Sequence, residues 1–141
     1  MTKIGRSFLI LTLFVVACAG TAPNILNVQA GPMGVSAKQI EINDKYLEHN
    51  LSYGDVSIKP FDGSFEAQVL LKNESDRDLS FEYRFIWHDA RGYEISVVTS
   101  WIPAVLGAKE SKGFRSVTPG ANAAGFKLMV RMPHGVTGTG S

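Results

Sequence analysis

Residues 79–101 constrain the fold of this chain most, because inward and outward residue types alternate on both sides of one short turn. The inward positions are Leu79, Phe81, Tyr83, Phe85 and Trp87, followed by Tyr93, Ile95, Val97, Thr99 and Trp101. A period of two predicts β-strands with one buried face. The turn between them, residues 89–92, fits a three-residue hairpin loop with Gly92 in the left-handed conformation.

This loop also predicts the register of the hairpin. The expected pairs are Asp89–Tyr93, His88–Glu94, Trp87–Ile95, Phe85–Val97, Tyr83–Thr99, Glu82–Ser100 and Phe81–Trp101. A two-residue loop would shift the register by one residue and set apolar side chains opposite polar ones. The second strand is expected to end at Pro103, because proline interrupts a central strand.

The same alternation recurs through residues 38–132, the predicted domain. The further strand candidates are Gln39–Ile42, Leu51–Lys59, Phe65–Lys72, Ser111–Thr118 and Phe126–Met132, and a helical turn capped by Asn43 and Asp44 runs to His49 with Tyr46 and Leu47 inward. Short half-buried strands at this spacing predict an all-β fold, a small antiparallel immunoglobulin-like β-sandwich of about six to seven strands. The aromatic side chains expected in its core are Phe65, Phe81, Tyr83, Phe85, Trp87 and Trp101.

The first 17 residues differ in character from the rest of the chain. Lys3 and Arg6 precede an apolar run over residues 7–16 in which Thr12 is the only polar residue after Ser7. This run is shorter than the roughly 20 residues that a membrane-spanning helix needs. A basic start followed by a short apolar run and small residues is typical of a secretory signal peptide, here predicted over residues 1–17.

The end of that run, Val15-Val16-Ala17-Cys18, resembles the lipobox of bacterial lipoproteins. In such precursors the cysteine thiol receives a diacylglycerol, and the amine freed by cleavage is acylated, so Cys18 is the predicted lipidation site. Two or more acyl chains on one residue anchor a protein stably to a membrane. Ala19, rather than Asp, follows the cysteine, which favours outer-membrane lipid facing the periplasm. Alternatively, Ala17-Cys18-Ala19 serves as an ordinary signal-peptidase site.

Two segments flank the predicted domain. Residues 18–37 carry no charge and are rich in Ala, Gly, Pro and Asn. They are expected to form a flexible tether with a reach of ~25 Å. A short edge strand at residues 25–28 is the alternative. Residues 133–141 are expected to form a disordered tail.

Composition excludes several classes of function. Removing residues 1–17 would take away Lys3 and Arg6, leaving 12 basic and 13 acidic residues. The remaining chain then has no net positive charge that would attract nucleic acid. One cysteine permits no disulfide within the chain, and with three histidines we expect no metal site and no cofactor.

Residues 64–103 carry motifs that resemble a known family. These are Glu66-Ala67-Gln68-Val69, Asn73, Asp78-Leu79, Tyr83-Arg84-Phe85-x-Trp87-x-Asp89-Ala90-x-Gly92 and Trp101-x-Pro103, and the end Phe126–Arg131 matches as well. With the lipobox before it, the chain resembles the YcfL-like family of small bacterial periplasmic lipoproteins. The resemblance implies an immunoglobulin-like sandwich in the envelope of Gram-negative bacteria, and it implies no particular activity.

No pattern in the sequence predicts a catalytic site. His88 and Asp89 are adjacent, but neighbouring strand residues point to opposite faces and cannot pair directly. Four apolar residues instead fall at positions of the alternation that point away from the core. They would form a partner surface: Leu70, Ile86, Val98 and Met129. Arg84 and Arg131 lie at outward positions, where they are either solvated or bind an anionic partner.

We therefore expect a lipid-anchored, non-enzymatic periplasmic domain that binds a protein or another component of the envelope. A cell-wall-acting enzyme is one alternative, and it would need at least two titratable side chains meeting in a pocket. A purely structural envelope spacer is the other alternative.

Overall fold

The computed structural model describes residues 22–95, 100–118 and 120–134. The signal peptide, Cys18, Val98 and most of the predicted tail lie outside these residues. The described elements are β1 (Asn24–Gly31), β2 (Gly34–Glu41), α1 (Lys45–Asn50), β3 (Leu51–Phe61), β4 (Ser64–Asn73), β5 (Leu79–His88), β6 (Ile102–Leu106), β7 (Ser111–Val117) and β8 (Gly125–Arg131).

The strands form two antiparallel sheets, which confirms the predicted β-sandwich. One sheet has five strands in the order β2-β1-β8-β5-β6, and the other has three in the order β3-β4-β7. Their inner faces share one core, in which Phe81, Phe126, Leu128 and Val69 have no exposed surface. The indole of Trp87 reaches across this core. Its nitrogen donates a hydrogen bond of 2.9 Å to Ser116 Oγ on the opposite sheet.

The predicted tether is the main correction to the sequence analysis. From Asn24 onward these residues form strands, and β1 pairs with β2 on one side and β8 on the other. Leu26 and Val28 point inward and have no exposed surface. The free energy gained by burying these two side chains stabilises a strand here, although the composition of the segment is typical of a linker. Residues 24–31 therefore form a central strand rather than a tether or an edge strand, and residues 34–37 begin the edge strand β2.

Helix α1 is held against β1 by a buried amide. Asn24 Oδ1 accepts hydrogen bonds of 2.8 Å from Asn43 N and 2.7 Å from Asp44 N. Asp44 then caps the helix by accepting from Leu47 N at 3.0 Å, as predicted. Leu47 is buried, whereas Tyr46, expected inward, is 43% exposed.

The tip of the predicted hairpin is confirmed. Asp89 N donates to Tyr93 O, Ile95 N donates to Trp87 O, and Gly92 has a φ of +85°. His88 and Glu94 form the expected bridge.

Beyond residues 96–99 the predicted register is wrong. Tyr83 pairs with Ile102 and Phe81 with Ala104, three residues later than expected, and Pro103 lies inside β6 at the edge of the sheet. A proline is tolerated there because an edge strand has one unpaired side. A register shift by an odd number of residues exchanges the two faces of a strand. The inward side chains of β6 are therefore Ala104 and Leu106. Trp101 consequently leaves the core.

Candidate functional site

The outward side chains of β1, β5 and β8 form a mixed surface, which we call the outer face. Across β5 and β8, Glu82 pairs with Arg131, Arg84 with Met129, and Ile86 with Lys127. Across β1 and β8, Ile25 pairs with Met129. Because cross-strand neighbours touch on one side of a sheet, the register alone brings apolar and basic groups together.

A shallow depression of about 250 Å³ lies in the middle of the outer face. Ile25, Ile86 and Met129 supply its apolar lining, and Arg84, Lys127 and Glu94 supply charges. The structure therefore joins two members of the predicted partner surface, Ile86 and Met129, in one site.

Trp101 lies against the same face. Its ring centroid is 4.0 Å from the guanidinium carbon of Arg131 and 4.5 Å from that of Arg84. Both distances are within cation–π range. The indole, expected in the core, is half-buried on the outside of the sheet.

Arg131 also forms an ion pair that is largely shielded from solvent. Its Nε lies 2.7 Å from Glu82 Oε2, and the two side chains are 16% and 21% exposed. An ion pair with this geometry and shielding is more rigid than an exposed one. The two contacts of Arg131, with Trp101 and Glu82, hold its guanidinium in place.

His88 also lines the depression and is buried. It lies opposite Gly125, where an added Cβ would be 2.8 Å from His88 Cε1 and 2.2 Å from Val28 O. The neighbouring carboxylate of Asp89 accepts from Arg91 N and Tyr93 N within the turn, at 2.9 and 3.0 Å.

The remaining predicted residues lie elsewhere. Leu70 is on the outside of the three-stranded sheet, above Gly54, where an added Cβ would be 3.1 Å from Leu70 Cδ2. Val98 and Cys18 lie outside the described residues. Sequence reasoning missed Trp101 and Ile25 as outer-face residues. For Trp101, the nearby Pro103 was the signal, because it marks an edge strand in which the hairpin alternation need not continue.

Within the described ranges, no group of three His, Cys, Asp or Glu side chains is arranged to hold a metal ion. No helix in that part of the chain has the length and apolar character required to cross a bilayer.

Residues 38–132 match the family described as "Protein of unknown function (DUF1425)". The chain belongs to the DUF1425 family. The sandwich of this DUF1425 protein begins before the matched region, because β1 and the first part of β2 precede residue 38.

A crystal structure of a DUF1425 family member from Shewanella sp. pv-4 has a similar fold. The similarity covers 77% of this chain and 98% of that one, with a TM-score of 0.56 and 19% identity. No curated protein matches the chain. The DUF1425 relative therefore supports the β-sandwich fold and carries no information on activity.

Proposed function

We propose that this DUF1425 protein is a lipid-anchored, non-enzymatic binding domain of the bacterial envelope, of the YcfL-like lipoprotein kind. In this proposal acylated Cys18 holds it in the outer membrane, facing the periplasm, and the outer face binds an envelope protein.

The observation that carries this proposal is the position of Trp101. An indole on the outside of a sheet, beside two guanidinium groups and a depression lined by apolar and charged side chains, combines the residue types that dominate binding energy at protein interfaces. The shielded pair of Arg131 and Glu82 fixes one guanidinium before binding, which lowers the entropy lost on association.

The anchor places this domain close to the membrane. Only residues 19–23 separate Cys18 from β1, because the strand begins at Asn24. Fully extended, this connection spans about 20 Å at most. A partner of the outer face would therefore lie near the inner surface of the outer membrane.

Replacing Cys18 tests the anchor. We expect Cys18→Ala to abolish incorporation of labelled palmitate and to move the protein from the outer-membrane fraction to the soluble periplasm. Cys18→Ser, which also lacks a thiol, is expected to behave in the same way. Sedimentation of Cys18→Ala with outer membranes would contradict the lipid anchor.

Site-specific photo-crosslinking in intact cells tests the outer face. A photoreactive residue at Lys127, which is exposed and lines the depression, should give one discrete protein adduct. The matched control is Arg115, exposed on the opposite sheet, which should not give this adduct. Adding Trp101→Ala should remove the Lys127 adduct. Adducts that persist unchanged in the Trp101→Ala background would contradict this assignment.

Incubation with purified peptidoglycan distinguishes the binding domain from the cell-wall enzyme. We expect the full chain to release no muropeptides, with or without added zinc. Release that is abolished by His88→Ala or Glu94→Gln would overturn the non-enzymatic proposal.

A further inference from the structure

The outer face contains a row of four paired residues whose chemistry changes from one side of the sheet to the other. The register of β2, β1, β8 and β5 aligns them in the order Glu41, Ile25, Met129 and Arg84. Glu41 is exposed and accepts a hydrogen bond from Asn43 Nδ2 at 3.0 Å, while Ile25 and Met129 are partly exposed in the depression. The row therefore begins with an acid, continues with two apolar side chains and ends with a base.

A two-fold axis that runs along the strands makes this row complementary to itself. Such an axis exchanges the two sides of the face and keeps each residue at its own height along the strands. With the axis between β1 and β8, β1 of one copy lies opposite β8 of the other, and β2 lies opposite β5. Glu41 then faces Arg84 of the second copy, and Ile25 faces its Met129, so that an ion pair and an apolar contact each form twice.

We propose that the outer face joins two copies of this chain in a symmetric dimer. This inference rests on the proposed function of the outer face and names a second copy as its partner. The neighbouring row consists of Gln39, Asn27, Lys127 and Ile86 on the same four strands. The same axis sets Lys127 opposite Asn27 and Ile86 opposite Gln39, so no two cations meet in this row either.

The other charges of the outer face are compatible with this arrangement. Arg131 is already ion-paired with Glu82 in its own chain. Glu94 bridges to the side of β5 that faces away from β8, and it therefore lies outside the four overlapping strands. The ring of Trp101 lies over Arg84 and Arg131, where it would meet β1 and β2 of the second copy.

Other two-fold axes do not give this match. An axis directly over β8 places Lys127 against Lys127 and Arg131 against Arg131 of the second copy, and like charges in direct contact are unfavourable. An axis across the strands keeps each strand opposite itself, so that Glu41 meets neither Arg84 nor Lys127. The charge pattern therefore selects the axis that runs along the strands between β1 and β8.

The size of the face fits a reversible dimer. Four strands at ~4.8 Å spacing and about 25 Å in length cover ~500 Å² per copy, or ~1,000 Å² in total. This area is close to the lower limit for a specific interface. Two twisted sheets pack face to face with their strands nearly aligned, as this axis requires. Both chains then enter β1 at the same end of the dimer, and anchoring of both at Cys18 in one membrane would raise their effective concentration.

Photo-crosslinking between two co-expressed copies in intact cells tests the dimer. Each copy is the full lipidated chain with its own affinity tag, and one of them carries a photoreactive residue at Lys127, opposite Asn27 of the second copy. We expect an adduct that has twice the mass of the chain and contains both tags.

Charge reversal provides the variants for this experiment. In a dimer of two Glu41→Arg copies, or of two Arg84→Glu copies, like charges meet at both contact points, and we expect the adduct yield to fall by at least about tenfold. A Glu41→Arg copy together with an Arg84→Glu copy restores opposite charges at both points, and this combination should recover at least about half of the wild-type adduct. Mixing would not repair a variant that fails to fold. Glu66→Arg makes the same charge change on the outside of the three-stranded sheet and should leave the adduct unchanged.

The other outcomes overturn the dimer. A Lys127 adduct that contains a different protein would reject the second copy while leaving the proposed outer-face function standing. Equal adduct yields in the two homotypic charge-reversed dimers and in the mixed one would reject the assigned axis. The absence of any adduct at Lys127 would reject both the dimer and the proposed function.

Discussion

The indole of Trp101 lies with its ring centroid 4.0 Å from the guanidinium carbon of Arg131. The same guanidinium group forms the ion pair with Glu82 at 2.7 Å. The aromatic ring therefore lies over a guanidinium group that is already ion-paired on the outside of the sheet, and its contribution to stability should be that of a surface cation–π contact.

Replacing Trp101 distinguishes this arrangement from the core position that the sequence suggests. We expect Trp101→Ala to lower the free energy of unfolding by about 1–2 kcal/mol, since two partly shielded cation–π contacts are lost. Truncation of an aromatic residue in the core would instead cost about 3–5 kcal/mol. Denaturant unfolding of the purified protein measures the difference.

Tyr93 provides the control for this measurement. It is an aromatic side chain that is 67% exposed at the tip of the hairpin. We expect Tyr93→Ala to change the free energy of unfolding by less than ~0.5 kcal/mol. A loss above 3 kcal/mol for Trp101→Ala would contradict the surface assignment.

The register of the hairpin shows how far the sequence determines this fold. Near the turn, Gly92 and the backbone bonds of Asp89 are local features, and pattern and turn chemistry agree there. Farther along, the inner face opposite Phe81 is filled by Ala104 rather than Trp101. That choice depends on the pairing of β6 with β5 and on its edge position, which alternation along one strand does not encode.

Gly92 tests the local part of that prediction. Its φ of +85° is unfavourable for a β-branched residue, and an added Cβ would meet nothing within 4 Å. We expect Gly92→Val to lower the free energy of unfolding by about 1–3 kcal/mol through backbone strain alone. Gly92→Asn should cost less, because asparagine tolerates this conformation. Equal losses for Val and Asn would contradict strain as the cause.

Phe85 tests which face of β5 is inside. Its ring centroid is 5.4 Å from that of Phe126 and 6.3 Å from that of Tyr83, and the residue is 8% exposed. We expect Phe85→Ala to lower the free energy of unfolding by about 3–5 kcal/mol. Phe61→Ala, at a 52% exposed position, is the control and should have a much smaller effect. Near-wild-type stability of Phe85→Ala would mean that the inner face is assigned wrongly.

Tyr53 gives the protein a defined response to alkaline pH. Its hydroxyl is buried and has no hydrogen-bond partner among the described residues. Burial raises the pKa of Tyr53 above its ordinary value of 10.0. Above about pH 10 a tyrosine in the unfolded chain loses a proton that folded Tyr53 retains, which favours the unfolded state, so the free energy of unfolding falls as pH rises.

We therefore expect Tyr53→Phe to be at least as stable as the wild type at pH 7, because it removes a buried unsatisfied group. Between pH 9 and 11 its stability should fall less steeply than that of the wild type. Tyr46→Phe, at a 43% exposed position, should follow the wild-type pH dependence. Identical pH slopes for Tyr53→Phe and Tyr46→Phe would contradict a raised pKa of Tyr53.

The linker-like composition of residues 18–37 concealed a central strand for a physical reason. Its inward positions are Asn24, Leu26 and Val28, and only two of these are apolar. The third is a buried amide whose partners, Asn43 and Asp44, lie about twenty residues away. Composition measures hydrophobicity along the chain, and it does not reveal a polar side chain that becomes buried through distant hydrogen bonds.

The boundary of the folded unit supplies the last prediction. Residues 38–132 were predicted as the domain and are also the range of the family match, yet they lack β1 and the first part of β2. Without β1, the core loses Leu26 and Val28, each worth about 1.5–3 kcal/mol of burial. Strand β8 would also become an unpaired edge. Together these losses are comparable with the whole stability of a small domain, about 5–15 kcal/mol.

We therefore expect residues 38–132 alone to show no cooperative unfolding and poorly dispersed amide NMR signals. Residues 22–134 should unfold cooperatively, because they contain all eight described strands. A synthetic peptide of residues 22–37 added to the shorter fragment should restore signal dispersion, since it supplies β1. The control peptide carries Leu26→Asp and Val28→Asp, and it should not restore dispersion because it would bury two charges. Cooperative unfolding of residues 38–132 without the peptide would show that β1 is dispensable, as a tether would be.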